Sequence, residues 1–218
     1  MNIELQSMAI EMPQVAAHPN RAPFRGVLTT VDVASDSSPS GANGHRVLLT
    51  RAACERALPS LLGVGLDYAP MLDRHDAQRK IGVITEANIV DGRWSTVDGA
   101  TISRGLTRIH ADQTTEENNP RLSAFIRGPS CIEVAGFVYA RDFPQIVRTL
   151  GKAGITPAEG SRGHSGGGYR YGMSYEIANA SVQDVRAAVW IVTEFTFTGA
   201  AVLRRDKAAY RATWFELL

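Results

Sequence analysis

The sequence predicts an α+β chain built on a largely antiparallel sheet or barrel, with a few helices beside it. Three observations carry that prediction. Several short runs are rich in β-branched and aromatic residues, few segments have helical periodicity, and strands and helices do not alternate. The missing alternation disfavours a doubly wound nucleotide-binding fold. With 218 residues, the chain suits one domain that buries about 70% of the surface its unfolded form exposes. Residues 1–23 mix apolar, polar and proline residues without a sustained period and are read as an N-terminal arm. Residues 24–218 are read as a single domain.

Composition narrows the function classes. Hydrophobic residues make up 44% and charged residues 21% of the chain, values of a globular protein rather than a disordered one. Net charge is +1, which offers no footprint for nucleic acid or an anionic membrane. No apolar run reaches the roughly 20 residues that span a bilayer. The first residues, MNIELQSMAIEMPQV, lack the basic flank and apolar stretch of a secretory signal. Cys54 and Cys131 stand far apart, outside any C-x-x-C or metal spacing, and are expected to be small buried residues in a reducing compartment.

The elements follow in order. Residues 24–33 (FRGVLTTVDV) read as a strand, 35–44 as a loop of turn residues, and 45–49 as a short strand. Thr50 is an N-cap for a helix over 51–62, stopped by Gly63 and Gly65. After the LDRHD segment, residues 81–90 (IGVITEANIV) alternate as a strand. Asp91-Gly92 then signals a hairpin turn with a returning strand over 93–102. Residues 131–139 (CIEVAGFVY) read as a strand, and Asp142 with Pro144 opens a helix. The Gly-rich stretch 156–168 is a loop. Two strands then lie within 169–203, and an Ala-, Arg- and Lys-rich segment, 204–218, is expected to be a terminal helix.

Four pieces in this order carry a family resemblance: Phe24-Arg25-Gly26 to Asp32 with Gly44-His45-Arg46-Val47; His75 in LDRHD before Ile81-Gly82-Val83-Ile84; Gly172-Met173-Ser174-Tyr175-Glu176; and Thr193-Glu194-Phe195 running into Phe197-Thr198-Gly199-Ala200-Ala201. Spanning most of residues 24 to 210, the set resembles the prohead (capsid maturation) proteases of tailed phages, distant relatives of the herpesvirus assemblin proteases. The resemblance implies an assemblin-like, mostly antiparallel β-barrel with flanking helices. It implies a serine endopeptidase that cleaves scaffold protein, and itself, inside the immature capsid in the host cytoplasm. Its partners would be the phage scaffold protein and the major capsid protein, with activation by self-association and no cofactor. Carried over by position, Ser174 is the nucleophile, His75 the base and Glu194 the third member. The gap between His75 and Ser174 is longer than usual for the family, and an insertion is placed within about 104–168.

The chemistry needs these residue types. A serine hydroxyl requires a neighbouring base to take its proton during attack, and an imidazole can accept and return that proton near neutral pH. A carboxylate on the far ring nitrogen fixes the tautomer and stabilises the imidazolium. Rivals to Glu194 are Glu176, which shares a strand face with Ser174, then Asp73 and Asp76 beside the histidine, and a second histidine at 110 or 164. Small residues in Thr198-Gly199-Ala200-Ala201 are candidates for oxyanion donors. Gly163-His164-Ser165-Gly166-Gly167 matches the G-x-S-x-G nucleophile elbow but lacks the strand and helix that motif needs, so an esterase centred on Ser165 ranks last. Without the family pattern, Ser174 is an ordinary strand serine and His75 a solvated loop residue. The alternative function is a catalytically inactive assemblin-fold component of capsid assembly.

Overall fold

The computed structural model describes residues 18–92, 128–151 and 170–218. These hold strands β1 (Arg21–Thr30), β2 (Arg46–Leu49), β3 (Gly65–Asp67), β4 (Lys80–Gly92), β5 (Gly128–Tyr139), β6 (Tyr171–Val182), β7 (Val189–Arg204) and β8 (Trp214–Leu217), with helices α1 (Arg51–Ala57) and α2 (Pro144–Gly151). The chain is mixed α+β, and its sheet curls into a half-barrel.

The described strands form one sheet in the order β2-β7-β3-β4-β5-β1-β8, with β6 also paired to β7. β7 is its longest strand. One edge carries β6, antiparallel along nearly its whole length. The other carries β2 near the start of β7 and β3 near its end, both parallel to it. From β3 onward to β8 every neighbouring pair is antiparallel. The two ends of the sheet, β6 and β8, meet across β1 by packing. Gly26 on β1 permits this, because a Cβ there would lie 2.5 Å from the Trp214 carbonyl oxygen and 2.6 Å from Met173 Sδ. Phe24 and Phe215 stack beside it with ring centroids 5.1 Å apart.

Alternation decides which side chains enter the half-barrel. On β6, Met173 is buried, Tyr175 packs edge-on against Phe197, and the Tyr175 hydroxyl donates to the Tyr210 hydroxyl. Tyr210 in turn donates to the Val47 carbonyl at 2.7 Å. Burial pushes both phenols up, Tyr210 to about 12. Ser174 and Glu176 therefore project from the opposite, outer face. Cys54 and Cys131 are buried free thiols that burial pushes up to about 12, the inert state expected of them.

Several expectations meet the fold directly. Thr50 caps α1, its hydroxyl accepting from the Ala53 N–H, and the helix tightens into a 3-10 turn over Leu58–Leu61 before Gly63 (φ +82°) ends it. Three expectations are corrected. The tail holds a 3-10 turn over Arg205–Lys207 and strand β8, not a helix, because Phe24 to Val27 of β1 offer an open edge that the tail pairs with. Among the described residues β4 pairs with β5 and β3; Asp91 and Gly92 continue the strand, with Gly92 opposite Gly128. The expected return strand over 93–102 lies outside the described residues. A bulge between Ile84 and Glu86 also breaks the alternation predicted for 81–90. β5 sits between β4 and β1, so residues 128–139 belong to the framework of the sheet. Within the stretch assigned to an insertion, α2 (Pro144–Gly151) follows β5, and residues 104–127 and 152–168 are outside the described residues.

Candidate active site

Four positions line up across the outer face where β3 meets β7. Lys80 on β4 is opposite Asp67 on β3, Asp67 is opposite Ala201 on β7, and Ala201 is opposite Ser174 on β6. Directly opposed residues share a face, and neighbouring strands lie about 4.8 Å apart, so Asp67 and Ser174 stand two strand spacings apart on one surface. Glu176 is two residues along β6 on that same face, opposite Gly199. Small residues keep the floor low. A Cβ on Gly199 would sit 2.5 Å from Glu176 Oε2, so the carboxylate occupies the space a side chain there would fill and leans over β7. A Cβ on Gly65 would lie 2.9 Å from Lys80 Cδ, so the lysine stem lies across that glycine.

His75 arrives over this floor on the loop joining β3 to β4, and that loop is pinned. Leu72 is buried in a left-handed conformation (φ +51°), and its carbonyl accepts from the Arg204 N–H at 2.6 Å. Asp76 folds the far side of the loop, accepting the Gln78 N–H at 3.2 Å and pairing with Arg79 at 3.0 Å. Asp67 ties loop to sheet: one oxygen accepts the Asp76 N–H at 3.2 Å and the other accepts from Lys80 Nζ at 3.2 Å.

The imidazole lies between two carboxylates. His75 Nδ1 is 3.6 Å from Asp67 Oδ2 and 3.5 Å from Glu176 Oε1. Both ring nitrogens are shielded from solvent and neither has a hydrogen-bond partner among the described residues. The Asp67 side chain is wholly buried, that of His75 21% exposed and that of Glu176 41% exposed. Burial pushes the Asp67 carboxyl up, but the adjacent imidazole, the Asp76 N–H and the Lys80 ammonium outweigh it and hold the group below its ordinary value. With Nδ1 facing carboxylates, Nε2 is the nitrogen left to exchange a proton with a reacting group. Asp73, His75, Ser174 and Glu176 line one cleft of about 810 Å³, which Trp190, Val182 and Val192 extend with apolar surface. No family model, curated protein or solved structure matches this chain.

The sequence-predicted residues separate into two groups. Ser174 and His75 share the cleft, and Glu176 reaches the imidazole. Glu194 is not brought to it. It is exposed, opposite Ser181, whose hydroxyl donates to it at 3.3 Å, seven residues along β7 from the Ala201–Ser174 level. That separation is roughly 23 Å at strand rise, beyond any side-chain reach. Asp73 lines the cleft, while Asp76 serves the loop. Ala200 and Ala201 are paired on both edges, by β6 and by β3, so their N–H groups face the ladder rather than an oxyanion. His110, His164 and Ser165 lie outside the described residues. Asp67 is a carboxylate of this cluster that is absent from the sequence-based candidates. Its signal was a carboxylate between Leu66 and Tyr68 in the otherwise apolar run GVGLDYAPML; a charge so placed must find partners.

Proposed function

We propose that the chain is a serine endopeptidase of the prohead type, with an assemblin-like half-barrel as its scaffold. Ser174 is the nucleophile and His75 the general base, while Asp67 and Glu176 together stand in the role the sequence suggested for Glu194. The observation that carries the reading is the shared outer face of Ser174, Glu176 and Asp67, with His75 Nδ1 within 3.6 Å of both carboxylates. In the reaction the Ser174 oxygen attacks the scissile carbonyl carbon and its proton passes to His75 Nε2. The carboxylates hold the imidazolium that forms. Collapse of the tetrahedral intermediate returns that proton to the leaving amine, and water then releases the acyl group by the same sequence.

The substrates on this reading are scaffold protein and the chain itself, cleaved within the immature capsid in the host cytoplasm, with the major capsid protein as neighbour. The apolar extension of the cleft at Trp190 and Val192 suits a polypeptide segment. Co-expression with phage scaffold and major capsid proteins, with fragments identified by mass spectrometry, tests the proposal. Processing is expected, and Ser174→Ala should abolish it, a loss of several orders of magnitude. Undiminished processing by Ser174→Ala overturns the assignment. The second reading, a capsid-assembly component without turnover, is favoured by one observation: neither His75 nitrogen is hydrogen-bonded, to Ser174 or to any other described group. Catalytic hydrogen bonds are often loose before substrate binds, which is why the peptidase reading ranks first.

A further inference from the structure

We propose that Asp67, His75 and Glu176 form a binding site for a divalent transition-metal cation of the zinc type. Three elements, β3, the following loop and β6, each present one ligand atom, all within 4.8 Å of one another. The spacing suits such an ion. Zinc bonds of about 2.0–2.1 Å in a tetrahedron separate neighbouring ligand atoms by roughly 3.4 Å. Nδ1 lies 3.6 Å from Asp67 Oδ2 and 3.5 Å from Glu176 Oε1, so displacements of a few tenths of an ångström complete those two edges.

Two further features point the same way. Nδ1 is shielded from solvent yet has no hydrogen-bond partner, although two carboxylates flank it. One nitrogen with two carboxylate oxygens is a donor set for zinc, cobalt or nickel; magnesium and calcium prefer oxygen alone. Three protein ligands would leave a fourth position for water or another ligand. One group competes for the site, since Lys80 Nζ already lies 3.2 Å from Asp67 Oδ2. The lysine is partly exposed, and its flexible stem allows the ammonium to withdraw to solvent when a cation takes its place.

Occupancy would regulate the site, and this clause rests on the proposed peptidase chemistry. A metal on Nδ1 takes that nitrogen's lone pair and leaves the ring proton on Nε2. A protonated Nε2 cannot accept the Ser174 proton, so the metal-bound chain is held inactive.

Titration calorimetry of the metal-stripped full chain with zinc sulfate tests the site without reference to activity. One equivalent is expected to bind. His75→Ala and Glu176→Gln should each weaken binding by about tenfold or more, whereas Lys80→Met should strengthen it by removing the competing cation. Absence of binding, or binding indifferent to all three substitutions, overturns the proposal. Fluorophosphonate labelling of Ser174, with and without zinc, is the second arm. Labelling that zinc suppresses and a chelator restores supports the regulatory role; labelling unchanged by bound zinc overturns it. Variant-sensitive zinc binding by a chain that never labels overturns the peptidase chemistry and upholds the metal site.

Discussion

Asp67→Asn separates the two jobs given to the buried carboxylate. The substitution keeps the shape, and its amide oxygen can still accept the Asp76 N–H, now held at 3.2 Å. It removes the charge opposite Lys80 Nζ and beside His75 Nδ1. Because Lys80 is partly exposed, that pair contributes at most about 1 kcal/mol. Loss of charge assistance to the Asp76 hydrogen bond costs about 1 kcal/mol more. A total near 2 kcal/mol lowers Tm by about 4–8 °C for a chain of this size. The sign with pH is fixed by the depressed Asp67 carboxyl. Its stabilisation is fully present above the ordinary value of 3.8 and is lost as pH falls through the lower folded value. The gap between wild type and Asp67→Asn should therefore be constant at neutral pH and close below pH 3.8. On the proposed chemistry, fluorophosphonate labelling of Ser174 should slow about 100-fold, less than the ~10⁴-fold cost of losing a sole orienting carboxylate, because Glu176 still faces the ring. Thermal melts across pH, with labelling rates at pH 7, provide the assay. An unchanged Tm together with unchanged labelling would refute both roles.

Other substitutions probe the neighbours. Gly199→Ala puts a Cβ 2.5 Å from Glu176 Oε2, so the flexible carboxylate must swing away from His75; labelling should fall while stability in denaturant melts changes by no more than about 1 kcal/mol. Glu194→Gln, on an exposed stretch of β7, should leave labelling unchanged and shift stability by less than about 0.5 kcal/mol in the same melts. A loss of labelling in Glu194→Gln would return that residue to the site.

Much of the framework was legible because its signals are local. The β6–β7 pair shows in two alternating runs with a polar link, and α1 shows in Thr50 and the glycines that follow it. What the sequence hid was non-local. β3 is three residues long, too short for a period to register, yet it sets Asp67 beside Ala201. β8 follows an Ala- and Arg-rich stretch whose helix propensity is overridden once β1 offers an edge. Alternation along 190–196 left the direction of Glu194 open; only pairing with Ser181 fixes it, facing solvent. Glu176 was legible as a rival through its two-residue spacing from Ser174. That it crosses Gly199 to meet His75 is a contact between distant parts of the chain, which spacing along β6 does not specify.

The most direct test of the proposed activation of Ser174 by His75 is fluorophosphonate labelling followed by intact-mass analysis and peptide mapping, on wild type and on His75→Ala. One adduct is expected, on the peptide carrying Ser174, and it should disappear in His75→Ala. An unlabelled wild type, an adduct on Ser165, or equal labelling without the imidazole would contradict that activation.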